Sequence, residues 1–173
     1  MKTLILGGVR SGKSRLAERL ATDTGRPVTY IATATAGDAE MAARIAAHQV
    51  RRPTGWALVE EPLALAAAVQ AHARAGGCVL IECLTLWLTN LLVDADAAAL
   101  DREQAALLAA LDDLPGDVIL VGNETGMGIV PLGELTRRYC DAAGRLHQDI
   151  AARCERVLLT VAGLPLALKG DLP

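Results

Sequence analysis

An α/β fold, with a mostly parallel central sheet and helices on both of its faces, is predicted by three observations. Short apolar runs alternate with segments of helical length along the whole chain. The runs Leu4-Ile5-Leu6, Val79-Leu80-Ile81 and Val118-Ile119-Leu120-Val121 have no polar side, as expected of strands covered on both faces. The first run also leads through Gly7-Gly8-Val9-Arg10-Ser11-Gly12-Lys13-Ser14 into a helical pattern, which is the setting of a phosphate-binding loop.

Each element follows from local signals. Lys2 to Leu6 is an apolar run that stops at two glycines, and Ser14 to Ala21 reads as a helix halted near Gly25-Arg26-Pro27. Val28 to Ala32 is a second strand. Asp38 to Arg52 opens with acids that suit a helix N-terminus and is closed by Pro53. Ala57 to Val59 reads as a short strand and Leu63 to Ala75 as an alanine-rich helix ended by Gly76-Gly77. Cys78 to Ile81 is an apolar strand stopping at Glu82. Leu84 to Val93 and Ala97 to Leu114 are helical, Val118 to Val121 is a strand, and Asn123 to Gly133 is a glycine-rich loop. A long helix from Glu134 to Ala152 leads to a final strand, Arg156 to Val161.

At 173 residues the chain suits one domain, spanning residues 1–173, and no linker or repeat divides it. Hydrophobic residues make up 52% and charged residues 21%, which excludes intrinsic disorder. Phenylalanine is absent, so the core must rest on alanine and branched aliphatic side chains. A net charge of −3 speaks against a nucleic-acid partner, since phosphate neutralisation needs a basic surface. No secretory leader and no membrane span are visible, and the expected location is the cytoplasm. Cys78, Cys83, Cys140 and Cys154 lack zinc-site spacing and read as reduced, mostly buried thiols.

The loop Gly7, Gly8, Val9, Arg10, Ser11, Gly12, Lys13, Ser14 satisfies G-x-x-x-x-G-K-[ST] in full. Its glycines let backbone N–H groups turn toward phosphate oxygens, and the following helix adds its positive end. Lys13 would pair with the terminal phosphates, and the Ser14 hydroxyl would sit on Mg2+. Glu82, at the end of an apolar strand, is the candidate carboxylate for that ion. It could equally cap the helix beginning near Leu84, or pair with Lys13 without metal.

Helical spacing places Arg44, His48 and Arg52 in one row, with Arg51 beside them. Clustered cations ask for an anionic partner and disfavour imidazolium, which keeps His48 neutral near pH 7. A neutral imidazole among arginines suits nucleophilic attack on a nucleotide α-phosphate, with the arginines steadying the leaving pyrophosphate. A solvated surface histidine would carry the same sequence. His72 and His147 lack such surroundings and are expected at the surface. After the strand ending at Val121, Asn123, Glu124, Gly126 and Gly128 stand where open α/β sheets bind ligands, or form a plain connection.

Taken together, several segments resemble one family, the bifunctional adenosylcobinamide kinase / adenosylcobinamide-phosphate guanylyltransferases of cobalamin biosynthesis. They are the loop Gly7 to Ser14, Tyr30-Ile31-Ala32-Thr33, Asp38 through His48, Arg52-Pro53, Leu80 through Thr85, Thr89-Asn90-Leu91-Leu92, Asn123 through Pro131, and Asp141 through Gln148. They occur in family order over nearly the whole chain. The R-I-x-x-H segment and the N-E-x-G-x-G-I-V-P loop are the specific ones.

The resemblance implies a RecA-like P-loop fold and two reactions. A nucleoside triphosphate, ATP or GTP, phosphorylates adenosylcobinamide. GTP then guanylylates a histidine, here His48, and the guanylyl group passes to adenosylcobinamide phosphate. By the same carry-over Thr33, Ala34 and Thr35, and Gln49, Val50, Arg51 and Arg52, line the nucleotide. Glu60 reaches its ribose or base, and Glu82 lies at the phosphate and Mg2+ end. A homo-oligomer, a trimer in the family, is implied. Cys140 and His147 depart from the family pattern, which often has Arg and usually Asn there. The competing readings are a P-loop kinase of another small alcohol without nucleotidyl transfer, and a nucleotide-gated interaction module.

Overall fold

The computed structural model describes residues 1–37, 39, 42–43, 46, 53–93 and 98–173. Its strands are β1 (Lys2–Gly7), β2 (Val28–Ala32), β3 (Ala57–Glu60), β4 (Cys78–Glu82), β5 (Asp117–Asn123), β6 (Arg156–Val161) and β7 (Leu164–Lys169). Its helices are α1 (Lys13–Asp23), α2 (Leu65–His72), α3 (Leu84–Val93), α4 (Ala99–Asp113) and α5 (Glu134–Arg153). One seven-stranded sheet has the order β3-β2-β4-β5-β1-β6-β7. Every pairing is parallel except β6 with β7.

The period of two along each strand divides the core. Leu4, Leu6, Val79, Ile81, Val118 and Leu120 face one side, where they join Trp87, Leu107, Leu111 and Leu146 from the helices. Ile5, Leu80, Ile119, Val121 and Leu158 face the other, against Leu16, Ala17 and Leu20 of α1. Burial of each such aliphatic side chain contributes roughly 1.5–3 kcal/mol, so the alternation fixes the register firmly. Trp87, the largest fully buried side chain, donates its indole N–H to Leu63 O at 2.8 Å and so stays satisfied in the core.

Three expectations change. The chain does not finish at Val161: residues 162–163 turn it back into β7, which pairs with β6 from Val161↔Leu164 onward. Ala162 and Gly163 both have positive φ (52° and 82°), the geometry of a two-residue hairpin turn that matches strand twist. Ala-Gly lacks the Asn-Gly signature and Pro165 demotes the following run, but an edge strand tolerates proline. The second helix is shorter than the alanine run, covering Leu65–His72, because Ala73 turns extended (ψ 131°) to carry the chain toward β4. His147 is not a surface residue: it is only 7% exposed. The helix predicted over Asp38 to Arg52 lies largely outside the described residues, though Ala39, Ala42, Ala43 and Ala46 within it are helical.

Among the described residues no helix is long and apolar enough to cross a membrane. All four cysteines are free, with Cys78 and Cys154 buried.

Candidate functional site

All parallel strands deliver their last residues to one edge of the sheet. In register along that edge stand Glu60, Ala32, Glu82, then Asn123, Gly7 and Thr160. Ligands of open α/β sheets bind beyond this edge.

The phosphate loop leaves β1 at Gly7 and enters α1 at Lys13. Gly12 takes φ 99°, which a side chain would strain, and its carbonyl accepts the first helical bond from Leu16 N–H at 3.0 Å. Lys13 heads the buried stripe of α1, Lys13, Leu16, Ala17, Leu20 and Ala21, at helical spacing. Its ammonium donates to Gly8 O at 2.9 Å, across the mouth of the loop. Burial pulls the Lys13 pKa down from the ordinary lysine range, and the acidic groups of Cys83 and Glu82 oppose that shift in part.

Strand parity explains Glu82. Leu80 faces α1, so Glu82 two residues on does the same, and its Oε1 accepts the hydrogen bond of the Ser14 hydroxyl. A hydroxyl and a carboxylate joined in this way are hard oxygen donors of the kind that hold Mg2+ together with phosphates and water.

Thr33 is fully buried. Its hydroxyl accepts Cys83 N–H at 2.8 Å and donates to Cys83 O at 2.7 Å, while its own N–H reaches Glu82 O at 3.1 Å. Thr33 therefore holds Glu82 and Cys83 in place and offers no side chain to solvent. Asn90, 6% exposed in α3, donates to Thr33 O at 2.8 Å and Pro62 O at 3.1 Å. Its side-chain oxygen lies 3.5 Å from the Thr35 hydroxyl. Asn90 thus anchors the segment Thr33–Thr35. Its sequence signal was a lone amide in the apolar helix Leu84–Val93, which the motif reading quoted without a role.

Glu60 stands exposed at the end of the edge strand β3, and Ala34 and Thr35 follow β2. Four strand spacings of ~4.8 Å separate Glu60 from Gly7 along the edge, about 19 Å in all. Val9 and Arg10 are exposed on the outside of the loop, with Arg10 at φ 57°. Arg44, His48, Gln49, Val50, Arg51 and Arg52 lie outside the described residues.

Sequence reasoning missed the other side of the loop. The hairpin turn donates Gly163 N–H to Ser11 O at 2.8 Å. A side chain at Gly12 would meet Gly163 Cα at 3.0 Å. On the opposite sheet face His147 packs against Gly122, where an added Cβ would lie 2.8 Å from its Nε2. Burial lowers the His147 pKa, with the charge of Glu124 acting the other way. Its burial was readable in the spacing of Ala143, Leu146, His147 and Ile150 along α5. Glu124 begins the loop after β5, and its N–H donates to Gly7 O at 3.0 Å. Thr85 Oγ1 accepts the N–H of Asn123 at 2.8 Å.

The chain matches a known protein family. The profile of the family described as "Cobinamide kinase / cobinamide phosphate guanyltransferase" matches residues 3–168. The chain is similar to the bifunctional adenosylcobalamin biosynthesis protein CobP of Pseudomonas aeruginosa, 65% identical over 171 residues, 99% of each chain. It is also similar to the bifunctional adenosylcobalamin biosynthesis protein CobU of Escherichia coli, 42% identical over 98% of this chain and 100% of that one. Among solved structures, the RadB recombinase superposes with a TM-score of 0.51 at 16% identity, covering 91% of this chain and 73% of that one. A Pyrococcus horikoshii protein superposes at 0.57 and 8% identity over 99% of this chain and 87% of that one. These likenesses show the fold, an α/β P-loop fold of RecA type.

Proposed function

The chain belongs to the cobinamide kinase / cobinamide phosphate guanyltransferase family, an enzyme family with both activities, and from that premise we propose how its residues divide the two reactions. The observation that carries the reading is the buried Lys13 ammonium beside the Ser14–Glu82 pair, at the mouth of a complete phosphate loop. The family's two activities leave the kinase-only and interaction-module readings behind.

In the first reaction the loop holds the terminal phosphates of ATP or GTP. A hydroxyl oxygen of adenosylcobinamide attacks the γ-phosphorus, and the bond to the bridging oxygen breaks. Lys13 and the loop N–H groups, Gly7 through Ser14, neutralise charge on the transferring group. Ser14 and Glu82 would hold Mg2+, which supplies further charge neutralisation when bound.

In the second reaction the His48 imidazole attacks the α-phosphorus of GTP, pyrophosphate leaves, and a phosphate oxygen of adenosylcobinamide phosphate displaces the imidazole to give adenosylcobinamide-GDP. Arg51 and Arg52 steady the departing charge, with Gln49 and Val50 alongside. GTP lies along the sheet edge, from the loop past Ala34 and Thr35 toward Glu60, which meets its ribose or base. Thr33 serves by placement, as its burial supports. We read residues 1–173 as one catalytic domain of a cytoplasmic enzyme. We also propose a homo-oligomer, a trimer by family resemblance, which the exposed apolar side chains of Leu164, Leu166 and Leu168 on the edge strand support.

The test is incubation with Mg2+ and GTP labelled on its α-phosphate, followed by denaturation. Acid-labile, alkali-stable label on the protein, absent in His48→Ala, is the expected outcome. A folded, GTP-binding protein that takes up no label refutes the covalent step.

A further inference from the structure

We propose that Glu124 is the general base of the kinase step, the group that takes the proton from the acceptor hydroxyl as its oxygen attacks the γ-phosphorus. The proposal rests on the kinase reading above and assigns a residue to it.

Three observations carry it. First, Glu124 is fixed beside the phosphate loop: β5 is the neighbour of β1, Gly7 is in register with Asn123, and Glu124 N–H donates to Gly7 O at 3.0 Å. The backbone of Glu124 is therefore pinned to the residue at which the loop starts.

Second, the other described carboxylates at this edge are committed or remote. Glu82 is bonded to Ser14 on the α1 side. Glu61 caps the start of the segment before α2, accepting N–H of Leu63 at 2.9 Å and of Ala64 at 2.8 Å. Glu60 is about 19 Å away at four strand spacings of ~4.8 Å.

Third, Glu124 is half-buried and oriented. Its Oε1 accepts Gly126 N–H at 2.6 Å, which fixes the carboxylate plane without consuming the second oxygen. Two residues before it, Gly122 packs against His147 of α5, and the charge of Glu124 acts to raise the pKa of His147 and Tyr139 on that helix. A base must be held at hydrogen-bond reach of the proton it removes, and a residue whose backbone N–H is bonded to the loop's first residue and whose carboxylate accepts a turn N–H is held in that way.

The step balances. The hydroxyl O–H bond breaks and its proton moves to Glu124. The new O–P bond forms as the bond from phosphorus to the bridging oxygen breaks, and the nucleoside diphosphate leaves. Glu124 returns its proton to water. The guanylyl steps need no such base, because imidazole and a phosphate oxygen are the nucleophiles.

That asymmetry supplies the experiment. Glu124→Gln keeps an oxygen to accept Gly126 N–H but takes no proton. Both reactions are followed in the full-length variant: phosphorylation of adenosylcobinamide by ATP, and guanylylation of separately supplied adenosylcobinamide phosphate. The expected result is a loss of about 10²–10⁴-fold in kinase kcat, KM for ATP within a few-fold of wild type, and unimpaired guanylyl transfer. A kinase rate within about threefold of wild type overturns the proposal, as does an equal loss of both activities, which marks a loop-holding role. Glu124→Asp, which retains the carboxylate, is expected to stay above the Gln variant in kinase kcat; the reverse order also overturns it. If the wild-type protein itself phosphorylates no cobinamide, the kinase reading has failed instead.

Discussion

Asn90→Ala isolates what a buried amide contributes to the nucleotide edge. The side chain bonds two carbonyls, Thr33 O at 2.8 Å and Pro62 O at 3.1 Å, and its residue is 6% exposed. Thr33 is fully buried, so its carbonyl finds no water once the amide is gone; leaving it unsatisfied costs about 1–3 kcal/mol. Pro62 is half-buried and regains water, so only the net value of its bond is lost, about 1 kcal/mol. The sum is about 2–4 kcal/mol, a large share of a stability of about 5–15 kcal/mol. With a urea slope of about 2 kcal/mol per molar, the midpoint falls by about 1–2 M. Asn90→Asp sharpens the test, since it keeps the shape but turns the donor into a third acceptor facing two carbonyls. It should destabilise at least as much as Ala above pH 6. The assay is urea unfolding, with GTP affinity measured under native conditions, where both variants should weaken binding because Thr33–Thr35 lose their anchor. A midpoint shift under 0.3 M for Asn90→Ala, or an Asp variant as stable as wild type, would refute the reasoning.

Two further predictions concern titratable groups. Lys13→Met should weaken nucleotide binding about 10–100-fold, the value of a charge-assisted bond of about 1.5–3 kcal/mol, while the ligand-free melting temperature stays level or rises. Burial disfavours the charged amine, so the unfolded chain holds that proton more tightly and wild type gains stability as pH climbs toward the ordinary lysine value of 10.5; the variant should lack that gain in thermal melts. A marked fall in the ligand-free melting temperature would contradict this. His147 has a lowered pKa, by burial first, with Glu124 opposing; its contribution is thus complete above 6.5 and is lost as pH falls from there through the folded-state pKa. One proton gives a slope of at most about 1.4 kcal/mol per pH unit, and denaturant titrations of His147→Asn between pH 5 and 7 should show a flatter profile than wild type.

The sequence is most legible where punctuation and periodicity agree. Val28–Ala32 and Arg156–Val161 were expected with the bounds the structure gives them, because proline, glycine or a polar residue stops each run. Lys13, Ser14 and Glu82 were legible as a set, since a complete loop motif says where α1 begins and an apolar run says where β4 ends. What was hidden depends on contacts between distant elements. Alanine is the best helix former, but propensity gives way to tertiary context, so Ala73 yields to the demand that the chain reach β4, and the alanine run could not show it. The role of Asn90 exists only because α3 crosses the ends of β2 and the segment before α2. For His147 the apolar spacing was present, but the residue type drew the reading to the surface.

The hairpin missed at the C-terminal end bears most directly on the site. A phosphate loop is a set of N–H donors that gains by being held open before phosphate arrives, since ordering it at the moment of binding costs affinity. Two of its residues, Arg10 and Gly12, already sit at positive φ, so the loop needs support from outside itself. That support comes from beyond β6: Gly163 N–H takes the carbonyl of Ser11, and Gly163 Cα occupies the space next to Gly12. The turn can approach so closely because Gly12 carries no side chain, Gly163 itself being favoured by its φ of 82° rather than by lack of space, and the turn is held there by β7 pairing along β6. An antiparallel edge strand that contributes no candidate site residue is thus what fixes the floor of the phosphate loop, and its worth to binding lies in geometry set before any ligand is present.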